Sequence, residues 1–252
     1  MAKRKVQIEW AMQTHVGLVR RNNQDAVGAE GERGLFVVCD GMGGAAGGEL
    51  AAHMAVQIFL HEAYRDGPDA GSALSHAVAV ANREVYAYAQ ENPRLRGMGT
   101  TLAALSVPTT VAARSKRIPL AIAHVGDSRC YRLRSDTLDL LTDDHSLVAE
   151  QIRQGEMTEE EAEASPLRHV ITRAVGTAPE VEADLLRTEG LEGDVYLLAS
   201  DGLTRELSER EIAELLQLHG SSLVTAAEKL VLGANEAGGG DNTTVVLVRI
   251  GF

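Results

Sequence analysis

The chain has 252 residues, 44% hydrophobic and 24% charged, with 36 acidic against 24 basic side chains and a formal net charge of −12. That length suits one large domain or two small ones with a full hydrophobic core. The negative balance disfavours nucleic acid and anionic membranes as partners, and Lys3-Arg4-Lys5 and Arg114-Ser115-Lys116-Arg117 read as short solvated runs rather than a patch that overrides it. No apolar run reaches the length of a membrane span. Beyond the basic N-terminus, Gln7, Glu9 and Gln13 interrupt the apolar residues, so no signal-peptide core is visible. Cys39 and Cys130 each lie in or beside an apolar run and read as buried free thiols rather than a disulfide or zinc pair. Together these features predict a cytoplasmic protein.

In chain order, residues 6–14 mix Val, Ile, Trp and Thr with polar residues and predict a first strand. Residues 17–25 are polar and turn-rich, with Arg20 and Asp25 close in sequence. Residues 34–39 predict a buried strand that ends at Asp40, after which Gly41, Gly43 and Gly44 let the backbone turn. Asp40-Gly41 is by itself a hairpin signal. It is equally a strand-end carboxylate beside an exposed carbonyl, where a hard cation can sit. Residues 49–64 are helical by the spacing of Leu50, Met54 and Ile58, with a break at Gly67-Pro68, and residues 70–90 form a second helix. Four short strands at 100–107, 118–125, 130–133 and 138–141 are evenly spaced and predict an antiparallel meander.

Residues 143–172 are polar, with a cap for a helix reaching about Gln154 and a second start at Thr158-Glu159-Glu160-Glu161. Strands come next at 181–187 and 195–199. Ser208 and Glu211 make a capping box for a helix, a further amphipathic helix holds Leu223, Ala226, Leu230 and Val231, and residues 243–250 are the last strand. Two helices between strands, twice over, predict an α+β fold: a four-layer α/β/β/α sandwich of two antiparallel sheets flanked by helices.

Asp40, Asp127, Asp201 and Asp241 each stand at the edge of an apolar run beside small residues, and Asp25 is a fifth acid after the first strand. Each alone is a turn residue. Gathered at one end of a sandwich they would repel one another unless a cation lay between them. Oxygen ligands without a Cys or His cluster favour Mg2+ or Mn2+ over Zn2+. Two such ions about 4 Å apart activate water and clamp a phosphoryl group, and Arg20 supplies bidentate donors for its remaining oxygens. The chain has no GxxxxGK[ST] loop, no HRD or DFG set, no G-x-S-x-G elbow and no cysteine in a phosphate-cradling loop. P-loop hydrolases, kinases, serine hydrolases and cysteine phosphatases are therefore disfavoured.

Six motifs carry a family resemblance: Arg20-x-x-Asn23-Gln24-Asp25, Asp40-Gly41-Met42-Gly43-Gly44, His124-Val125-Gly126-Asp127-Ser128-Arg129, Leu141-Thr142-x-Asp144-His145, Ser200-Asp201-Gly202-Leu203 and Gly240-Asp241-Asn242-Thr243-Thr244. In this order they resemble the metal-dependent serine/threonine protein phosphatases of the 2C type, in their compact bacterial form. The resemblance implies one catalytic domain over residues 1–252 with a flap-like insert at about 145–172. It implies direct attack of a metal-bridging hydroxide on phosphoserine or phosphothreonine, in opposition to a serine/threonine kinase. In that frame Asp40 bridges two metals, Asp201 and Asp241 are further ligands, and the Gly41 carbonyl binds the second ion. Asp127 with Asp201 holds a third, weaker ion. Arg20 is then a catalytic and substrate-binding group, and Asp25 orders metal-bound water.

Two positions depart from the family pattern. Met42 stands where animal members often carry a histidine proposed as general acid, and Gln24 where many members carry Glu. The first candidate for the leaving-group proton is then metal-bound water, with His145 and His169 as alternatives that are more often structural. The implied partners are phosphorylated proteins, a kinase among them, for a monomer without nucleic acid or membrane. The competing readings are a silent phosphatase-like scaffold, against which the retained Asp40, Asp201 and Asp241 argue, and hydrolysis of another phosphoester, disfavoured by only 4% aromatic residues.

Overall fold

The computed structural model describes residues 2–63 and 70–252. The predicted helix end at Tyr64 and the break at Gly67-Pro68 lie outside the described residues. Along the chain the strands are β1 (Lys3–Lys5), β2 (Gln7–His15), β3 (Asp25–Glu30), β4 (Leu35–Met42), β5 (Gly99–Thr100), β6 (Leu102–Ser106), β7 (Thr110–Ala112), β8 (Ile118–Val125), β9 (Arg129–Arg134), β10 (Thr137–Leu140), β11 (Asp184–Gly190), β12 (Val195–Ala199) and β13 (Thr243–Gly251). The helices are α1 (Ala45–Glu62), α2 (Ala70–Glu91), α3 (Leu147–Gln154), α4 (Glu159–Ala164), α5 (Asp201–Thr204), α6 (Glu209–His219) and α7 (Leu223–Ala237).

One sheet runs β11-β8-β6-β4-β3, with β5 added beside the end of β4, and the other runs β10-β9-β12-β13-β2. Strand β4 shows why they stack. Leu35, Val37 and Cys39 pack with α1 and α2, whereas Phe36 and Val38 face Cys130, Tyr196, Leu198 and Val246 of the other sheet. A strand covered on both faces needs apolar residues at every position, so it reads as a continuous run. The outer face of the second sheet repeats the design, with Leu197, Ala199, Val245 and Leu247 against Leu216, Ala227 and Leu230 of α6 and α7. The result is the expected four-layer sandwich. Cys39 and Cys130 are both buried free thiols, and they sit in different layers.

Five local expectations need correction. Asp40 does not end its strand: β4 continues through Met42 by pairing Gly41 with Thr100 and Met42 with Gly99, and the turn falls at Gly43-Gly44. The hairpin reading of Asp40-Gly41 therefore fails. The predicted meander also splits, because β6 and β8 pair in one sheet and β9 and β10 in the other. Gly126, at φ +104°, lets the chain cross from one sheet to the next, and even spacing along the sequence does not mark that crossing. The turn-rich stretch ends in a strand, β3, that polar neighbours had hidden. Helix α1 begins at Ala45, ahead of its first large apolar residue. Strand β11 starts later than 181, because Val181 and Ala183 pack on the helical layer before ladder pairing begins.

The caps are as predicted. Ser208 and Glu211 close a capping box on α6, Thr158 and Glu161 do so on α4, and Ser146 caps α3. The two basic runs are neighbours in space, since β1 pairs with β7. Arg4 lies over the Phe252 ring at 4.1 Å, and Arg117 pairs with Glu189.

Candidate metal centre

The carboxylates named from the sequence meet at one end of the sandwich. Asp25 opens β3 and Asp40 lies near the end of β4, directly opposite it in register. Asp127 follows β8, Asp201 follows β12, and Asp241 precedes β13. Antiparallel pairing of β12 with β13 and of β3 with β4 brings these ends together. The sequence set thus converges around Asp40, whose electrostatic neighbours are Asp201, Asp25 and Asp127.

Hydrogen bonds hold the Asp40 backbone and the Asp25 side chain in place. Asp40 donates its backbone N–H to Thr101 Oγ1 at 2.9 Å, and its carbonyl accepts from Thr100 Oγ1 at 2.8 Å. Thr101 Oγ1 lies 2.6 Å from Ser128 Oγ, which ties the Asp127 loop to the Asp40 strand. Asp25 is 5% exposed, and its Oδ2 accepts from Ser200 Oγ at 2.7 Å, while Ser200 Oγ accepts from the Thr244 N–H at 2.9 Å. That chain joins the two sheets at the site. Asn242 organises the Arg20–Asp25 loop: its Oδ1 accepts from Gln24 N–H at 2.7 Å, and its Nδ2 donates to the carbonyls of Val16 and Asn22 at 2.8 and 3.0 Å. Ser128, Ser200 and Asn242 stood inside the motifs and Thr101 in a predicted strand, but their roles depend on partners far along the chain. Gly41 must lack a side chain, because a Cβ there would meet the Gly48 carbonyl oxygen at 2.1 Å.

Burial and mutual repulsion raise the carboxyl pKa values. Burial pushes Asp25 up to about 6, Asp127 up to about 7 and Asp201 up to about 6. Asp40 is raised well above the usual carboxylate range by burial and then by Asp201, Asp25 and Asp127. Asp25 Oδ1 and Asp201 Oδ1 are buried without a hydrogen-bond partner. Orphaned, mutually repelling oxygens of this kind fit hard divalent cations. Among the described residues, no three acidic, histidine or cysteine side chains form a ready-made metal cage. Guanidinium groups stand at the seat instead. Arg20 Nη2 is 2.7 Å from Asp241 Oδ2, Arg205 Nη1 is 3.1 Å from the same oxygen, and Arg205 also pairs with Asp201. Arg205 is the site residue that sequence reasoning missed; its signal was a cation four residues after Asp201 on a helical turn.

His145 is engaged within the fold. It is 1% exposed, its Nδ1 accepts from the Gly126 N–H at 3.1 Å, and its Nε2 faces Asp184 at 3.1 Å. His169 is exposed on the segment after α4, with Arg205 and Asp241 among its charged neighbours. Arg173 is engaged with Asp184 at 2.7 Å. Gln24 donates from Nε2 to the Gly44 carbonyl at 2.8 Å, a bond that an ionised Glu could not make.

A two-sheet sandwich flanked by helices carries a knot of aspartates at one end, whose oxygens suit divalent cations, and arginines at its mouth, whose donors suit phosphoryl oxygens. The family model described as Protein phosphatase 2C matches residues 17–231, and the chain belongs to that family, the metal-dependent serine/threonine protein phosphatases. It is 36% identical to the serine/threonine phosphatase stp of Listeria innocua, over 94% of this chain and 93% of that protein. It is 38% identical to the serine/threonine protein phosphatase PstP of Mycobacterium tuberculosis over 99% of this chain, which spans 46% of that longer protein. The crystal structure of the catalytic domain of a phosphatase PstP, in complex with two manganese ions, superposes with a TM-score of 0.85 at 36% identity, over 98% of this chain and all of that one.

Proposed function

We propose that the protein dephosphorylates phosphoserine and phosphothreonine in proteins, opposing a serine/threonine kinase. The reading is carried by the convergence of Asp25, Asp40, Asp127, Asp201 and Asp241 with orphaned oxygens on Asp25 and Asp201. Asp40, Asp201 and Asp241 with the Gly41 carbonyl would hold two Mg2+ or Mn2+ ions, and Asp127 with Asp201 a third, weaker one. When bound, the ions activate water for direct attack on phosphorus and neutralise phosphoryl charge.

The chain's own groups do the rest. Arg20 is half exposed at the mouth, and its planar fork matches phosphoryl oxygens. Asp25 has one oxygen held by Ser200 and one free, so it can accept a hydrogen bond from water and orient it. Met42 offers no proton, which leaves water to protonate the departing serine or threonine oxygen. Residues 145–172, with His169 beside the Arg205–Asp241 pair, act as a flap that selects substrate, within one catalytic domain over residues 1–252. No helix among the described residues is long and apolar enough to cross a membrane; we place the protein in the cytoplasm as a monomer.

The test is Mn2+-dependent release of phosphate from a phosphothreonine peptide, a phosphotyrosine peptide and a nucleotide, with Asp201→Asn as control. Turnover of the first alone, lost in the variant and with chelator, is expected. Wild-type protein that binds Mn2+ and releases no phosphate would instead make the domain a scaffold.

A further inference from the structure

Arg205 ends the short helical turn that Asp201 begins, and its backbone N–H donates to the Asp201 carbonyl at 2.8 Å. The side chain folds back over that turn. One guanidinium thereby pairs with Oδ2 of Asp201 and, at 3.1 Å, with Oδ2 of Asp241. The next residue, Glu206, accepts from the Gly240 N–H at 2.9 Å and holds the Asp241 loop against this turn. Asp201 is 7% exposed, while the Arg205 side chain is 31% exposed. The cation therefore closes the cluster from the solvent side.

A single cation bridging two converging carboxylates occupies the electrostatic place of a divalent ion. The guanidinium takes only Oδ2 of each acid and leaves Oδ1 of Asp201 without a partner, so a divalent ion has an oxygen to bind, but it binds against the positive charge already paired with both carboxylates. We infer that Arg205 is a built-in counter-cation of the carboxylate seat, which stabilises the metal-free protein and competes with a divalent ion for the charge of Asp201 and Asp241. Arg205 thus lowers metal affinity and makes occupancy responsive to the free ion concentration. This rests on the reading of Asp201 and Asp241 as metal ligands. Arg20 shares only Asp241 and leaves Asp201 untouched, so it cannot replace Arg205 as the bridge.

The test is isothermal calorimetry of Mn2+ binding to chelator-stripped wild type, Arg205→Ala and Arg205→Lys, with thermal unfolding of each protein with and without Mn2+. Arg205→Ala should bind Mn2+ about two- to fivefold more tightly, the scale of a partly exposed ion pair. Its metal-free Tm should fall by about 1–3 °C, and its Mn2+-induced rise in Tm should exceed that of wild type. Arg205→Lys keeps the charge but is a single point donor that cannot bridge two carboxylates, so an intermediate affinity is expected; it carries the test should the alanine variant not fold. Affinity in the variants equal to or weaker than wild type overturns the counter-cation role while leaving the metal reading intact. Failure of wild type and variants alike to bind Mn2+ overturns both.

Discussion

Asp25 and Asp40 are direct cross-strand partners, each the register mate of the other in β3 and β4. Opposed residues of an antiparallel pair project on the same face, and like charges so placed destabilise the sheet. Ser200 donates to Asp25 and offsets part of that cost. Replacing Asp25 with Asn keeps an acceptor for Ser200 and removes the repulsion. The metal-free Asp25→Asn protein should gain a few tenths to about 1 kcal/mol of stability, seen in urea unfolding with chelator present. Its Mn2+ affinity should fall. A variant less stable than wild type without metal would mean that the Ser200 bond outweighs the repulsion.

Proton linkage gives a second expectation. Asp25, Asp127 and Asp201 have folded-state pKa values raised to about 6, 7 and 6, from 3.8, chiefly by burial. Between the unfolded and folded values the folded protein holds more protons, so these groups favour the metal-free fold at low pH and lose that contribution as pH rises through 6 to 7. A divalent ion needs the ionised forms. The Mn2+-induced rise in Tm should therefore be larger at about pH 8 than at about pH 6, by differential scanning fluorimetry. Buried His124, held down to about 4 by burial and by His145, acts in the opposite direction on stability. It does so with and without metal, so it cancels in this difference. Equal rises at both pH values would remove the linkage.

Gln24 explains its own departure from the family pattern, because its amide donates to the Gly44 carbonyl in the turn that leads into α1. Gln24→Glu would set an ionised acceptor against another acceptor. A loss of about 1 kcal/mol is expected, read as a lower urea midpoint with an unchanged slope. No shift in the midpoint would make the Gln24 bond inconsequential.

His145 holds the crossing between the two sheets. Its Nδ1 accepts from the Gly126 N–H, immediately before Asp127, and its other nitrogen faces Asp184. Burial lowers its pKa, in keeping with a neutral ring that accepts at Nδ1. His145→Ala should cost about 1–3 kcal/mol by orphaning a buried N–H, measured by thermal unfolding, and should leave the shape of the pH–rate profile unchanged. Loss of the alkaline limb in that variant would instead make His145 the general acid.

Much of this protein is determined within short windows of its sequence. The run from Leu35 to Cys39, the boxes Ser208–Glu211 and Thr158–Glu161, and the helical spacing of Leu50, Met54 and Ile58 rest on local periodicity and capping, which need only near neighbours. Asp40, Asp127, Asp201 and Asp241 were legible for the same reason, each standing at the edge of an apolar run beside small residues. Tertiary structure alone decided what depends on partners distant along the chain. It carried β4 past Asp40 by adding β5, and it sent β8 and β9 into different sheets. It set Asp25 opposite Asp40 and brought Arg20 to Asp241 across 221 residues. It also folded Arg205 onto the carboxylates of Asp201 and Asp241. Those relations arise from which faces bury together and from how converging charges are neutralised, and neither is encoded in any single stretch of the chain.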